Sequence, residues 1–549
     1  MNLFPGTCLI VFCFVFGTFG QQYDFIIVGG GGPGATLAYR LSENPTVKVA
    51  LIERGSDLCH IFGNIVGFYG AASTAPPSVI PDIFSRTIYD RHWFSREITT
   101  NSRYIPVSTM MGGGAARNGN AFGRMSIAEM EGFNSPLWTF NATTQDWKAL
   151  FTYVKCLTSP CDLNAHGTTG PLMENTFAPD SVLEIVKNAY MSAFNLSWDD
   201  DSNDGTNIGL SLMHRNIKLN NFGIPIRQES YCSLLKPVID VRPNLHVITE
   251  AVVTRIDLKK NGKNRVEFFH RGKDYSYQAK NEVIIATSPI EAPQLLKLSG
   301  VGPCSELATF GIECLYDNPH VGETLQDNPT VGLIYVTPPP ITPSLGSIVV
   351  GYIKSDPNQQ LADIEVAATT LAVPTQVGIL NGVLAYVSDF EHGGLGRVLL
   401  KSADPLKEPT VSVNVYTYNA SRISRLREKV KQIREAFQAV NVQLGVPFFT
   451  QADPRADELP LNASDAAIDA YLNSEAGSSL SWHWTGSTAM HKVVDERLRL
   501  IDGLGNIIPG VRVVGNGVVP NCLKSHSTSS FSMMVGQTAS RLIKEEYGY

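Results

Sequence analysis

Three glycines near the start of the chain have the spacing of a phosphate-binding turn. Gly29, Gly31 and Gly34 form the pattern Gly-x-Gly-x-x-Gly. The first glycine permits a tight turn, the second lets the backbone approach a pyrophosphate, and the third lets a helix pack closely on a strand. Glu53 follows at roughly twenty residues, where a carboxylate can accept hydrogen bonds from a ribose hydroxyl. These residues predict a dinucleotide site.

The segments around the glycines must position them. Tyr23–Val28 is a short apolar run typical of a buried parallel strand, and Ala35–Leu41 is helical in pattern. A second apolar strand, Val47–Ile52, leads to Glu53. The helix N-terminus then supplies N–H donors and positive potential to the phosphates. This unit does not distinguish FAD from NAD, because both bind to the same fold.

Residues Met111–Arg124 resemble the first signature of the glucose–methanol–choline (GMC) oxidoreductase family, in which a Gly-Gly-Ser-Ser-x-x-Asn-Gly loop lies against a flavin. Gly113 and Asn118 match that signature, whereas Gly114 and Ala115 replace the usual serines. A glycine run lets backbone N–H groups approach a planar ring or a phosphate. The resemblance implies that the cofactor is FAD and that Asn118 offers its amide to the flavin or to the substrate oxygen.

A second segment, Ser288–Gly302, resembles the family's second signature, with Ala292 where Ser or Thr is usual. The resemblance also implies that Val253 contacts the adenine through its backbone. Some relatives attach the flavin covalently through a histidine immediately before the signature asparagine. Arg117 stands at that position, so we expect a non-covalent FAD.

The chain from Trp482 onward resembles the family's C-terminal block. Its His-x-x-Gly segment supplies His483, which the resemblance implies takes the proton of the substrate hydroxyl. His526 stands where relatives have a His or Asn that shares the substrate oxygen. Imidazole suits this role because its ordinary pKa lies near neutrality. The chain departs from the family at Gly515-Asn516, where an Asp is usual, and this bears on the local pyrophosphate contacts.

The resemblance implies FAD-dependent oxidation of a small-molecule alcohol to a carbonyl by hydride transfer to flavin N5. His483 is then the general base, His526 its partner, and oxygen or a quinone the electron acceptor. The alternative on the same fold is a hydroxynitrile (mandelonitrile) lyase, which keeps the FAD but performs no net redox reaction. Those lyases carry a Tyr two residues before the first histidine, where this chain has Ser481. A non-enzymatic flavoprotein is less favoured, because both histidines are present.

The two tryptophans that flank His483 suggest an aromatic-lined substrate pocket. Trp482 and Trp484 could stack on a sugar or on a benzylic alcohol, although a tryptophan beside a core strand also serves packing alone.

The expected fold class is α/β, α+β overall, with a Rossmann-like FAD-binding domain interleaved with an antiparallel-sheet substrate domain. The chain is expected to pass twice through the substrate domain and three times through the FAD-binding region. The expected segments are a signal peptide over 1–20, the FAD-binding domain with a flavin-covering loop over 21–150, a first stretch of the substrate domain over 151–235, a return to the FAD-binding domain over 236–315, a second stretch of the substrate domain over 316–475, and a C-terminal catalytic and FAD-binding segment over 476–549.

Composition agrees with a folded, globular chain. Hydrophobic residues make up 43% and charged residues 17% of 549. The net charge of -7, without a Lys/Arg cluster, argues against a nucleic-acid surface. No Cys-x-x-Cys pair or His/Cys cluster has zinc spacing, so we expect no metal.

The N-terminal residues Met1–Gly20 are typical of a cleaved signal peptide. An apolar stretch ends at small residues ahead of Gln21, and it is too short to span a bilayer, which takes roughly twenty residues. We therefore expect a secreted protein without a membrane span. Cys156 and Cys161 are close enough in sequence for a local disulfide. Sequons that could carry N-glycans begin at Asn141, Asn195, Asn419 and Asn462.

Overall fold

The structure, a computed structural model, describes residues 21–57, 59, 92–95, 103–338, 347–375, 378–390, 395–412, 420–454, 458–474, 479–520 and 527–549. The expected signal peptide over 1–20, residues 96–102 of the expected flavin-covering loop around Trp93–Tyr104, Asn419 and His526 lie outside the described residues.

The strands, in chain order, are β1 (Gln22–Val28), β2 (Val49–Ile52), β3 (His92–Ser95), β4 (Arg103–Pro106), β5 (Phe151–Tyr153), β6 (Leu172–Glu174), β7 (Gly209–Leu212), β8 (Ile217–Leu219), β9 (Pro225–Arg227), β10 (Leu245–Ile248), β11 (Ala251–Asp257), β12 (Arg265–His270), β13 (Lys273–Ile285), β14 (Val301–Gly302), β15 (Tyr316–Asp317), β16 (Pro329–Val336), β17 (Ile348–Ile353), β18 (Ile364–Thr375), β19 (Gly378–Asp389), β20 (Arg397–Leu399), β21 (Thr410–Ser412), β22 (Thr450–Asp453), β23 (Ser479–Leu480), β24 (Arg499–Ile501) and β25 (Ile507–Val513).

The α-helices are α1 (Gly32–Leu41), α2 (Gly113–Arg117), α3 (Ile127–Glu131), α4 (Phe140–Leu150), α5 (Lys155–Thr158), α6 (Ser181–Phe194), α7 (Lys236–Ile239), α8 (Glu291–Leu298), α9 (Cys304–Thr309), α10 (Ala420–Leu444), α11 (Asp465–Leu472) and α12 (Thr528–Tyr547). A π-helical turn spans Ser230–Leu235, and two 3-10 turns span Pro136–Trp138 and Asn516–Val518.

The first sheet has a parallel centre. Strands β10, β2, β1, β13 and β25 run in that order, and all four pairings are parallel. The four residues of β2 are all buried, as expected for a strand covered on both faces. Because β1, β2, β13 and β25 are parallel, the turns that follow them meet at one edge of the sheet, where ligands bind in such folds.

Strand β13 takes part in both parallel and antiparallel pairing within the first sheet. Its first half pairs antiparallel with β12, and its second half pairs parallel with β1 and β25. Strand β11 completes the antiparallel region. Strand β13 therefore joins an antiparallel lobe, made of β11, β12 and its own first half, to the parallel centre of the sheet.

A second sheet is antiparallel throughout. Its path is β22-β16-β19-β18-β17-β7, with β23 also on β16. Residues alternate along β16, so that Val331, Leu333 and Tyr335 are buried on one face. Helices α6 and α10 pack on that face. Together with the parallel sheet, this arrangement confirms the predicted α/β fold class, and the exact domain boundaries stay predictions.

Helix α12 packs along α1 and brings the C-terminus back to the first sheet. A Cβ added to Gly536 would lie 2.6 Å from the carbonyl oxygen of Pro33, so the two helices touch backbone to backbone. Ser527 is the N-cap of α12, and Gly548, with φ 71°, ends the helix in the left-handed conformation. The N-terminal turn of α1 is therefore held by the last helix of the chain.

Three disulfides cross-link the described residues. The predicted bond Cys156–Cys161 is present, and two more join Cys59 to Cys232 and Cys304 to Cys314. Among the helices that the structure describes, none combines the length and the apolar character that crossing a bilayer requires.

Candidate active site

The glycine turn between β1 and α1 leaves one side of the backbone open. A Cβ added to Gly34 would lie 1.9 Å from the carbonyl oxygen of Gly29, so this close approach requires glycine. A Cβ on Gly31 would meet nothing nearer than the Cδ of Pro33, at 4.0 Å. Gly31 is also the N-cap of α1 and provides no side-chain acceptor to the first N–H groups of the helix. An anionic group can therefore approach the turn at Gly31.

The second glycine segment lies directly on the first. The N–H of Gly112 donates to the carbonyl oxygen of Gly30 over 2.9 Å. A Cβ added to Gly113 would lie 3.0 Å from the Cα of Gly31. The run predicted as a loop becomes the short helix α2, which begins at Gly113 after Gly112 takes a φ of 85°. The structure thus brings together two segments that are about eighty residues apart and that the sequence assigned to the same ligand.

Glu53 closes the end of this site. Its carboxylate accepts hydrogen bonds from the N–H groups of Gly30 and Gly55, over 2.6 and 2.7 Å. Burial raises the pKa of Glu53 to about 7, against the lowering effect of those two N–H groups. A buried carboxylate at the end of β2 fits the predicted role as acceptor for ribose hydroxyls.

Val253 lies on the strand that passes Glu53. The carbonyl oxygen of Glu53 accepts from the N–H of Ala251, over 2.9 Å. Val253 is two residues farther along β11 and pairs with Phe268 of β12. This places Val253 on the strand that borders the Glu53 end of the site, and its contact with an adenine stays a prediction.

Asn118 is held by protein groups on both sides of its amide. Its Nδ2 donates to the Oγ of Ser529 over 2.5 Å, and its Oδ1 accepts from the Arg227 guanidinium. Arg227, which is fully buried, also donates to the carbonyl oxygens of Ala115 and Asn118, over 3.0 and 2.8 Å. Residues of β9 and α12 therefore orient the second glycine segment, and the predicted contact of Asn118 with flavin or substrate stays a prediction.

A buried charged quartet lies behind the same segment. His166 bonds Glu174 through Nδ1 over 3.0 Å and Asp201 through Nε2 over 2.7 Å, and His214 Nε2 lies 3.1 Å from Asp201. The two imidazole rings stack, with centroids 5.5 Å apart. The carbonyl oxygen of His214 accepts from the N–H of Phe122 over 2.9 Å, so the quartet supports the residues that follow Asn118.

The quartet favours the charged form of all its members. Burial alone would lower the pKa of His166, but hydrogen bonds to Asp201 and Glu174 and their negative charges raise it to about 9. Burial would raise the pKa of Glu174, but hydrogen bonds to His166 and His214 and their positive charges lower it to about 2. The pKa of His214 is raised and that of Asp201 is lowered in the same way.

The C-terminal segment reaches the site at two points. Gly515 follows β25, and a Cβ added there would lie 3.5 Å from the Cγ of Pro33 in the first turn of α1. Ser527, the residue after His526, donates its Oγ to the carbonyl oxygen of Ala121 over 2.9 Å. The neighbour of His526 is thus fixed against the residues that follow Asn118.

His483 lies in a tight turn that wraps around a buried carboxylate. Asp327 Oδ1 accepts from the N–H of His483 over 2.8 Å, and its Oδ2 accepts from the N–H of Trp482 over 3.0 Å. Ser481, before the turn, donates its N–H and its Oγ to the carbonyl oxygen of Asn328, over 3.1 and 2.9 Å. Its Oγ also bonds the Thr330 Oγ1 over 2.6 Å. The turn is therefore fastened to the start of the antiparallel strand β16.

Beyond His483 the chain passes to the parallel sheet. Ser487 donates its Oγ to the carbonyl oxygen of Pro289, after β13, and the N–H of Thr488 donates to the carbonyl oxygen of Gly517 over 2.9 Å. His483 therefore lies between the two sheets, four residues before the chain reaches the carboxyl edge of the parallel one at Ser487.

The two tryptophans beside His483 have different surroundings. Trp482 is 44% exposed and adopts a φ of 59°, a left-handed value that is rare for a bulky residue. Trp484 is buried in an apolar cluster with Leu325, Ile290 and Val398. Trp484 thus packs in the core, and the pocket role predicted for both tryptophans stays a prediction.

Sequence reasoning missed three residues that organise the site: Asp327, Arg227 and Ser529. Each acts through a bond to a residue more than one hundred positions away. Asp327 and Arg227 belong to no motif with a recognisable spacing, and Ser529 lies in the C-terminal block but had no predicted role. The polar run Gln326-Asp327-Asn328 just before an apolar strand is the one signal that the sequence offers.

The residues present fit a dinucleotide. The open side of Gly31, the N-terminus of α1 and the Glu53 carboxylate provide a phosphate cradle and a ribose acceptor. A Cβ on Gly114 or Gly119 would meet nothing within 4 Å, so the second segment also offers unobstructed backbone. Among the described residues, the grouped metal-ligand types contain disulfide-bonded cysteines, and the expectation of no metal stays a prediction.

Comparison with known proteins gives a consistent result. Residues 23–330 and 394–536 match the N-terminal and C-terminal regions of the family described as GMC oxidoreductase. The chain is 26% identical over 587 residues to the GMC oxidoreductase family protein Mala s 12 of Malassezia sympodialis, covering 93% of this chain and 90% of that protein. It is 26% identical over 571 residues to an alcohol dehydrogenase (acceptor) of Pseudomonas putida, covering 95% and 96%.

Solved structures agree on the fold. A formate oxidase aligns with a TM-score of 0.79 at 20% identity, covering 96% of this chain and 99% of that chain. A fungal aryl-alcohol oxidase aligns with a TM-score of 0.75 at 19% identity, covering 96% and 100%.

Proposed function

Because the chain belongs to the GMC oxidoreductase family, we propose that His483 is the general base in the oxidation of an alcohol to a carbonyl here, with His526 as its partner. The cofactor is FAD, and the protein is an enzyme that acts on CH–OH donors. When bound, FAD supplies the two-electron acceptor. Oxygen or a quinone is the proposed final acceptor.

The position of His483 between the two sheets is the observation that carries the proposal. The turn that holds His483 is bonded on one side to Asn328 and Thr330 of the antiparallel sheet region. On the other side the chain runs to Gly517 and Pro289 at the carboxyl edge of the parallel sheet. A base at this junction can reach a substrate that lies between the dinucleotide site and the second sheet.

The chain's own residues would carry the proton. The imidazole of His483 accepts the hydroxyl proton as the carbonyl forms, and His526 holds the same oxygen. Ser481, with its Oγ bonded to Thr330 and Asn328, holds the strand that precedes the base. Arg227 and Ser529 orient Asn118 by binding the two sides of its amide.

The test is to mix the holoenzyme anaerobically with a panel of alcohols, sugars and mandelonitrile and to monitor reduction of the flavin by its absorbance. An alcohol should bleach the flavin bands, and His483→Ala should slow that bleaching by about 100-fold or more, the usual range for loss of a general base. His320→Ala, at an exposed histidine, is the matched control and should keep the wild-type rate.

Two results would count against the proposal. Flavin that no alcohol or sugar reduces, together with benzaldehyde release from mandelonitrile, would support the lyase alternative instead. A wild-type rate of flavin reduction in His483→Ala would show that this histidine is not the general base.

Readmission of oxygen or a quinone to the reduced enzyme then identifies the acceptor. Release of the flavin by acid precipitation is expected if, as we propose, FAD is non-covalent.

We also propose that the protein is secreted. Three disulfides support an oxidising compartment, and the sequon residues Asn141, Asn195 and Asn462 are exposed. Expression in eukaryotic cells should give a chain in the medium that begins at Gln21 and loses mass on enzymatic deglycosylation. A protein that stays in the cell with Met1 intact would contradict this.

A further inference from the structure

Asp327 is a buried carboxylate whose bonding partners are backbone N–H groups. The residue is 4% exposed. Its Oδ1 accepts from the N–H of Asn328 and of His483, both over 2.8 Å, and its Oδ2 accepts from the N–H of Trp482 over 3.0 Å. A carboxylate in this arrangement serves as an anchor for backbone, because ionised oxygens accept strong hydrogen bonds from N–H groups.

The turn that Asp327 anchors is closed at both ends by backbone bonds. On one side Gln326 and Thr485 exchange N–H···O bonds of 2.9 and 3.0 Å, and on the other the N–H of Ser481 donates to Asn328. Between these closures the residues 482–484 lie opposite the single residue Asp327. The chain over residues 482–484 must therefore bulge away from its partner. The Asp327 carboxylate fills the bulge and accepts from the N–H groups of Trp482 and His483, which a regular partner strand would have bonded through its carbonyl oxygens.

The bulge also contains a strained residue. Trp482 has a φ of 59°, and a bulky side chain holds such a value only when surrounding contacts impose it. The bond from its N–H to Asp327 Oδ2 is one of those contacts. If that bond is lost, the backbone of Trp482 can relax, and His483, the next residue, must turn with it.

We infer that Asp327 is a positioning residue for His483, which fixes the direction of the imidazole by binding the N–H groups of Trp482 and His483. This inference rests on the proposed function of His483 as general base. Asp327 itself need not touch the substrate. Proton transfer requires the base within hydrogen-bond reach of the hydroxyl, so a small rotation of the turn has a large effect on rate.

The chemistry of the carboxylate agrees with this role. Burial raises the pKa of Asp327 to about 7, against the lowering effect of the N–H groups of His483, Asn328 and Trp482. The ionised form, which can accept all three bonds, is therefore populated at and above neutral pH.

The main test is Asp327→Asn in the FAD-loaded full chain. Asn keeps one oxygen, so it can hold one side of the turn, but its amide nitrogen is a donor and cannot accept from a second N–H group. We expect the rate constant of flavin reduction at saturating alcohol to fall by about 10- to 100-fold. The dissociation constants of alcohol and FAD should stay within about threefold, because no contact with either is removed.

A second readout does not depend on activity. Hydrogen exchange at the amides of Trp482 and His483 should accelerate in Asp327→Asn, because these N–H groups lose their acceptor. Asp495→Asn is the matched control: its Oδ1 also accepts from two backbone N–H groups, those of Arg497 and Arg499, in a turn without a proposed catalytic group. It should leave the reduction rate unchanged.

The two readouts separate the possible failures. A wild-type reduction rate in flavin-loaded Asp327→Asn overturns the inference. If no alcohol reduces the wild-type enzyme, the proposed function fails, and unchanged exchange at Trp482 and His483 in Asp327→Asn then overturns the positioning as well. If Asp327→Asn does not fold, Asp327→Glu keeps both acceptors but shifts them by one methylene. The same fall in rate is expected there, and its absence overturns the inference.

Discussion

Asn118 donates its side-chain amide to the Oγ of Ser529 over 2.5 Å. Ser529 lies in the first turn of α12, so this bond joins the second glycine segment to the last helix of the chain. Arg227 binds the same asparagine from the other side. The orientation of the segment that lies against Gly30 and Gly31 is therefore set by distant regions of the chain.

Arg227→Ala should weaken FAD binding. The substitution leaves the carbonyl oxygens of Ala115 and Asn118 without their donor, and each unsatisfied buried group costs about 1–3 kcal/mol. Fluorescence titration of apoprotein with FAD should show affinity falling from wild type to Arg227→Lys to Arg227→Ala, since a lysine provides one nitrogen where the guanidinium provides several. Arg255→Ala, which removes an exposed ion pair with Glu267, is the control. Wild-type affinity in Arg227→Ala would refute the role.

Two glycine substitutions should separate an effect on stability from an effect on FAD binding. Gly34→Ala places a Cβ 1.9 Å from a backbone oxygen, so this variant should fold poorly. Gly31→Ala meets no close atom and should keep the melting temperature of the apoprotein. It should nevertheless lose FAD affinity by about tenfold or more, or about 1.4 kcal/mol, because the methyl group occupies the side open to the phosphates. Equal FAD affinity in Gly31→Ala and wild type would mean that the phosphates bind elsewhere.

FAD should bind more tightly as the pH rises from 6 to 8. The pKa of Glu53 is raised by burial to about 7, above the value near 4.3 of an unfolded glutamate, so in the folded protein this group is partly protonated near neutrality. Ribose hydroxyls donate best to the ionised form, and binding therefore favours proton release. Titrations at the two pH values test this. Glu53→Gln should bind more weakly and without that pH dependence, whereas Glu267→Gln, on β12 of the antiparallel lobe, should behave as wild type.

Thermal stability should fall on the alkaline side because of the buried quartet. Unfolded histidine titrates near pH 6.5, and the pKa of folded His166 is raised to about 9. Its contribution to stability is therefore complete below about pH 6.5 and is lost as the pH rises through about 9. Glu174, with a pKa lowered to about 2, contributes above about pH 4.3 and loses its contribution as the pH falls through about 2.

Melting curves between pH 6 and 10 measure this loss. His166→Gln should be less stable than wild type at pH 6, and its melting temperature should depend less on pH up to 10. His320→Gln, at an exposed histidine, should retain the wild-type slope. An unchanged slope in His166→Gln would show that other groups cause the alkaline fall.

The dinucleotide region of the site could be predicted because its signals are local. Strand β1, the glycine turn, helix α1 and Glu53 lie within a few dozen consecutive residues, and their periods are visible in the sequence. The disulfide Cys156–Cys161 is predictable for the same reason. The bond Cys59–Cys232, with a separation of 173 residues, has no local signal.

The turn that holds His483 shows that local sequence patterns do not encode side-chain orientation. The position of His483 in the sequence is evident from its motif, but its orientation depends on Asp327, 156 residues earlier. The same holds for the quartet, in which His166 and His214 meet at Asp201 only when the chain before β6 and the chain after β7 fold together. Such contacts are set by tertiary packing, which residue spacing does not encode.

The bond between Cys59 and Cys232 closes the chain into a covalent ring that contains Gly113, Asn118 and Arg227 but not the first glycine turn. A protease that cuts the backbone once inside this ring cannot separate the two ends, because the sulfur bridge still joins them. Such a nicked molecule would keep its apparent mass on a non-reducing gel and divide into fragments only after a thiol reductant is added. One cut in this third of the chain thus leaves its two parts covalently joined, whereas none of the three disulfides of the described residues encloses the stretch from Asp240 to Pro303.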